Sequence, residues 1–309
     1  GAGAVGATTA FALLTRGAAS EVVLIDINTN KALGEALDIK QATPFIDNCD
    51  IYAGSYADAV DSDVVIITSG IGRRPGQSRL ELVQTNVGII KQISAEITKY
   101  APDATYVIVS NPVDVLTYVF CKYTGLPEER VIGSGTILDT ARLRARISEY
   151  YSVSQKNVHA YVMGEHGDTS FIPWSMASVS SIPLDDYRKS IMGNADLGLA
   201  PVFDHEEIEH YMRTSGGKVI RRKGATFYAV SVSTCHIVKS ILSDSDTLMT
   251  VSSMLHGEFG IDDVCLSLLS IVDRTGIKAK ITPNLTADEI EKLHHSADSL
   301  KSVISQLDI

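Results

Sequence analysis

The stretch GEHGDTSF, residues 164–171, sets a histidine between a glutamate and a Gly-Asp pair at the end of an apolar run. An imidazole ordinarily titrates near neutrality, so His166 can give and take a proton at physiological pH. It could equally be a structural histidine hydrogen-bonded at a strand end, or a metal ligand. What separates these readings is the set of groups around it. GSGTILDTARLR, residues 133–144, places Asp139 and Arg142 three residues apart, on one face of a helix. There Asp139 can bind the far nitrogen of His166, and Arg142 can offer its planar fork to a carboxylate. SGIGRRPGQSR, residues 69–79, is rich in glycine and cations and ends at Arg79, the composition of a lid that closes over a bound anion. A proton donor, an orienting carboxylate, a carboxylate-gripping cation and a carbonyl-polarising cation are the parts needed for hydride reduction of a 2-oxo acid. Singly, each has a plainer reading: Asp139 and Arg142 as a surface helix pair, Arg73, Arg74 and Arg79 as a solvated loop. Only the set of four points to chemistry.

A hydride reaction needs a carrier. Gly1, Gly3 and Gly6 form G-x-G-x-x-G directly ahead of a helix pattern. Glycines there permit a tight turn, let a pyrophosphate approach the backbone and bring the helix close to the sheet. The motif alone is weak. Asp26 strengthens it, because it ends the next strand, where a carboxylate can bind the adenine ribose hydroxyls. The same carboxylate repels a 2′-phosphate, so NAD is expected rather than NADP.

A scaffold must position these groups. EVVLIDI (21–27), DVVIITSG (63–70) and TYVIVSNP (105–112) are near-continuous β-branched runs, as in parallel strands buried on both faces. ERVIGSG (129–135) and NVHAYVMG (157–164) read as shorter strands, and helical patterns lie at 7–16, 31–41, 79–100, 113–124 and 137–151. This alternation predicts an α/β fold with a doubly wound parallel sheet of the Rossmann type. The second half reads as a long polar helix over 204–223, kinked at Gly216-Gly217, a helix near 226–242, and two antiparallel strands, TLMTVSSML and DVCLSLLSIVDRTG. An amphipathic helix capped by Thr286 and Glu289 closes the chain. The units expected are an NAD-binding domain over 1–140 and a C-terminal α+β substrate domain over 141–309. A glycine loop of this kind normally follows a β-strand, so a first strand is expected ahead of Gly1.

Composition narrows the classes. A net charge of -10 and a pI near 5.3 argue against nucleic acid as a partner. No apolar run reaches the roughly 18 residues of a membrane span, so no membrane partner is expected. Cys49, Cys121, Cys235 and Cys265 are far apart and form no CxxC pair, which suggests neither zinc nor a disulfide framework and fits a reducing cytoplasm. HEEIEH (205–210) spaces its histidines five apart rather than four, so no metal is expected there.

GAGAVGAT, Asp26, the loop ending at Arg79, VSNPVDVLTY, GSGTILDTARLR, GEHGDTS and KGATFYAV together resemble the lactate/malate dehydrogenase family. The likeness is greatest to bacterial L-lactate dehydrogenases and covers essentially all 309 residues. It implies that His166 and Asp139 are an acid/base pair, that Arg142 grips the substrate carboxylate and that Arg79 polarises the carbonyl. It also implies that Asn111 contacts substrate or the nicotinamide side, and that Thr226 lines the pocket for the substrate's side chain. Fructose 1,6-bisphosphate, an activator of many bacterial members, is held between subunits by an Arg and a His. Arg144 and His159 stand at the matching positions, and a homotetramer is expected.

On substrate choice the motifs divide. Lactate dehydrogenases carry Gln two residues before the lid's Pro-Gly pair, and here Arg73 stands there, as in malate-specific members that pair it with oxaloacetate's second carboxylate. Closing such a lid over pyruvate would bury an unpaired guanidinium, at a cost on the order of several kcal/mol. Thr226, GSGTILD and GEHGDTS are more typical of lactate dehydrogenases. The expectation leans to oxaloacetate and L-malate, with pyruvate and L-lactate as the alternative. Two readings from other classes are an NAD-dependent glycosidase, which binds metal through Cys and His, and a non-catalytic nucleotide-binding protein. No cysteine lies near His166 in sequence, and the latter leaves the four-residue set without a purpose.

Overall fold

The computed structural model describes residues 1–46, 49–72, 76, 78–190 and 203–309. Its first half alternates helix and strand: α1 (Ala4–Thr15), β1 (Glu21–Leu24), α2 (Thr29–Lys40), β2 (Asp50–Ala53), β3 (Val64–Ile67), α3 (Arg79–Tyr100), β4 (Thr105–Ile108), α4 (Val113–Thr124), β5 (Val131–Gly133) and α5 (Ile137–Tyr151). β3, β4 and β5 pair in parallel, as do β1 and β2. All four residues of β4 are buried, and the two-residue period of a strand sends them to opposite sides. Tyr106 and Ile108 enter a core with α3 and α4, whereas Val107 enters another with α1 and the later helix Tyr228–Leu242. Helices therefore cover both faces, which is the doubly wound arrangement expected from the apolar runs.

The second half contributes β6 (Val158–His159), β7 (Ser178–Val179), β8 (Ile182–Pro183), α6 (Leu184–Ser190), α7 (His205–Lys223), α8 (Tyr228–Leu242), β9 (Thr247–Glu258), β10 (Ile261–Asp273), β11 (Gly276–Lys280) and α9 (Ala287–Ile304). β9 and β10 form a long antiparallel hairpin. β9 also meets β5 at the pair Gly133–Ser252, giving the mixed order β11-β10-β9-β5-β4-β3. Residues 140 and 141 lie inside α5.

Several local expectations change. NVHAYVMG is a strand only at Val158–His159, followed by isolated bridges at Met163–Phe171 and Gly164–Ser267. Between them, the Val162 N–H donates to Thr140 Oγ1 and its carbonyl accepts from Thr136 Oγ1, so side chains of α5 and of the residue that precedes it replace a strand neighbour. β2 (DIYA) and β11 (GIKAK) lack the apolar run that announces a buried strand. α7 continues unbroken through Gly216-Gly217. The four cysteines are buried free thiols.

Gly133 makes the joint between the two halves possible. A Cβ there would stand 2.4 Å from Thr117 Oγ1 and 2.9 Å from Ser252 Cβ. Gly133→Ala is expected to cost about 1–3 kcal/mol through overpacking. An earlier urea midpoint with an unchanged denaturant slope would show it.

Candidate active site

His166 sits on a segment whose backbone is held from several directions. Successive N–H groups donate to four different places: Met163 to the Phe171 carbonyl, Gly164 to the Ser267 carbonyl on β10, Glu165 to Ser296 Oγ on α9, and His166 to Asp114 Oδ2 on α4. Gly164 has φ +89°, and a Cβ there would lie 2.7 Å from Ser296 Oγ, so the close approach of α9 requires glycine. The imidazole is thereby placed without depending on one flexible loop.

Its side-chain partner is Asp139, in the first turn of α5, with Oδ2 2.6 Å from His166 Nδ1. Asp139 Oδ1 accepts from Arg142 Nη1 at 2.9 Å, so the three-residue spacing brings carboxylate and guanidinium together as expected. Asp139 is buried. Burial raises its carboxyl, but the imidazole and guanidinium outweigh this and hold it below the ordinary value. For His166, burial favours the neutral ring, yet the charge and hydrogen bond of Asp139, helped by Asp114, push its pKa up to about 9. The arrangement can store a proton on an imidazole, steady it with a carboxylate and present a cation beside it.

Arg79 is the first residue of α3, behind a capping box of Ser78 and Glu81. Its guanidinium reaches Glu165 at 3.5 Å and Asp168 at 3.4 Å, the residues that flank His166. Asn111 lines a small cleft with His166, Val109, Ile137, Leu138 and Val230. The Asn111 carbonyl accepts from buried Asn86, which also binds both the N–H and the carbonyl of Ile71. Thr226 stands two residues ahead of α8, whose Val230 and Ser233 line the cleft, but is not itself a lining residue. Arg73 lies outside the described residues. Arg144 donates from Nε to the Ala160 carbonyl and covers the Tyr161 ring, and His159, on β6, is exposed.

Asp114, Asn86, Glu165 and Asp168 have parts here that the sequence reading did not assign. One signal was available: Asp114 is the only charged residue in the apolar run Val113–Cys121.

The glycine loop lies between the carboxyl ends of β1 and β3. Ala2 N–H donates to Asp26 Oδ2 at 2.7 Å, and Thr68 Oγ1 donates to the Gly1 carbonyl at 3.0 Å. A Cβ on Gly6 would fall 1.8 Å from the Gly1 carbonyl oxygen, whereas one on Gly3 would meet nothing within 4 Å. Gly6 thus serves packing, and Gly3 leaves an open approach. α1 starts just after Gly3, its N-cap, with no side-chain cap and no acid in its first turn, so its N–H groups and dipole can receive a diphosphate. Partial burial raises the Asp26 carboxyl, but the N–H groups of Asn28 and Ala2 outweigh it and keep the group ionised, as binding ribose hydroxyls requires. These residues fit NAD.

Comparison with known proteins agrees with this geometry. The lactate/malate dehydrogenase NAD-binding domain matches residues 1–133, and the alpha/beta C-terminal domain of the same family matches 136–308. An L-lactate dehydrogenase of Clostridium perfringens is 42% identical over 309 residues, covering 100% of this chain and 96% of that protein. One from Thermoanaerobacterium saccharolyticum is 44% identical, covering 100% and 98%. The crystal structure of the minor L-lactate dehydrogenase of Enterococcus mundtii, in a ligands-bound form, superposes with a TM-score of 0.93 at 37% identity, covering 100% and 97%. The lean to oxaloacetate drawn from Arg73 finds no support among these relatives, which favour the alternative. The chain belongs to the lactate/malate dehydrogenase family and is an NAD-dependent oxidoreductase.

Proposed function

We propose that this chain is an L-lactate dehydrogenase that interconverts pyruvate and L-lactate. The observation that carries the reading is the full-length identity of 42–44% to proteins named L-lactate dehydrogenase.

When bound, NADH supplies the hydride, and the residues do the rest. His166 has its Nδ1 engaged by Asp139, which leaves Nε2 to carry the proton toward the substrate carbonyl. Arg142 spends Nη1 on Asp139 and offers its other N–H groups to the substrate carboxylate. Arg79, resting against Glu165 and Asp168, supplies the charge that stabilises the developing alkoxide.

Substrate choice is tested by kcat/KM for pyruvate and oxaloacetate measured side by side with NADH. A clear preference for pyruvate is expected, and a preference for oxaloacetate would overturn the lactate assignment in favour of a malate dehydrogenase.

The proton carrier is tested by His166→Gln, which should lower kcat by about a hundred-fold to ten-thousand-fold while NADH affinity stays nearly unchanged. Near-normal turnover would remove His166 from the mechanism.

The pH dependence follows from the raised imidazole. Reduction needs the protonated ring, so kcat/KM should hold through neutrality and decline as pH rises through about 9. Asp139→Asn removes the charge that raises it, and the declining limb should move toward the ordinary histidine value. A limb that stays in place would show that Asp139 does not set the proton affinity.

A further inference from the structure

The His166 N–H goes to an acceptor that the fold alone does not demand. Asp114 stands in the first turn of α4, 2% exposed, and its Oδ2 takes that N–H at 2.7 Å. Its Oδ1 makes no hydrogen bond of full geometry, nor do the hydroxyls of Ser252 and Ser253 on β9, although Ser252 stands next to the carboxylate and stabilises its charge. A single N–H could be satisfied by a neutral acceptor. A buried carboxylate is a costly substitute for one. Against burial, the Ser252 hydroxyl, the His166 N–H and the charge of the His166 ring favour its ionised form.

We propose that Asp114 is a positioning residue for His166: it fixes the main chain at the histidine and, as an anion, acts with Asp139 to hold the imidazole in its protonated form. This rests on reading His166 as the proton carrier. The groups around His166 are Asp139 and Arg142 from α5, Asp114 from α4, Arg79 from α3, and Glu165 and Asp168 on its own segment. Of these, Asp139 and Asp114 favour the protonated ring and Arg142 opposes it. Around Asp114 stand His166, Glu165 and Ser252. Burial pushes the Asp114 carboxyl up to about 6, whereas the His166 ring titrates at about 9, so near neutrality carboxylate and imidazolium sustain each other. Asp139 supplies the side-chain hydrogen bond, and Asp114 adds charge through the backbone side.

The test follows the His166 resonance in protein labelled with 13Cε1-histidine, assigned by its loss in His166→Gln. Asp114→Asn keeps an oxygen to accept the His166 N–H and can turn its NH2 toward Ser252 Oγ, while removing the charge. The proposal expects the His166 midpoint to fall by about one pH unit in this variant, with the pyruvate-reduction limb moving by the same amount. Asp114→Ala, which also removes the acceptor, should lower kcat a further ten-fold or so. An unmoved midpoint in folded Asp114→Asn protein would overturn the proposal and leave Asp114 a packing residue. If that variant does not fold, wild-type protein decides. Its His166 signal should show a minor inflection near pH 6, where Asp114 titrates, below the main one, and a single inflection overturns the proposal. Because the resonance reports without turnover, a failure of the lactate assignment would appear separately, as absent pyruvate reduction with His166 still titrating as expected.

Discussion

A carboxylate buried to 5% exposure beside an imidazole dictates much of the surrounding structure. A charge taken out of water must be paired and hydrogen-bonded, and losing one member of such a pair strands the other. Asp139 meets this with His166 on one oxygen and Arg142 on the other. Its place in the first turn of α5 adds the favourable end of the helix dipole. The imidazole can meet it only if residues 163–167 hold still, and β10, α4 and α9 each supply an acceptor to that segment. Strand pairing, helix start and hydroxyl placement therefore converge on one hydrogen bond of 2.6 Å.

How much of this the sequence showed depended on how far apart the partners lie. Asp139 and Arg142 were legible because helical spacing places them together, and the Gly1-Gly3-Gly6 loop because its local geometry admits few other residues. The parallel strands were legible from unbroken β-branched runs. Asp114 and Ser296 were not, since their partners lie 52 and 131 residues away and only the folded chain brings them near. Asn86, which ties Ile71 to Asn111, sat inside a helix with nothing local to mark it. β2 was missed because Ile51–Ala53 is too short a run to notice, and β11 because alternation with lysines leaves none. Arg73 is a different case, because the relatives do not support the lean drawn from it. A residue type was read as a substrate preference, although the effect of a guanidinium depends on where it points, while the relatives reflect the whole chain.

The pair Gly133–Ser252 joins the parallel strands to the antiparallel hairpin, and the largest core draws Ile67, Val87 and Leu116 together with Met163, Leu266 and Leu293. The two family matches meet at the same place, ending at 133 and resuming at 136. The seam between them is thus not a hinge between separate bodies. Severing the chain there would leave each fragment with a bare sheet edge and half of a common interior, surfaces that invite association with other chains. The two matched segments therefore share one sheet and one interior.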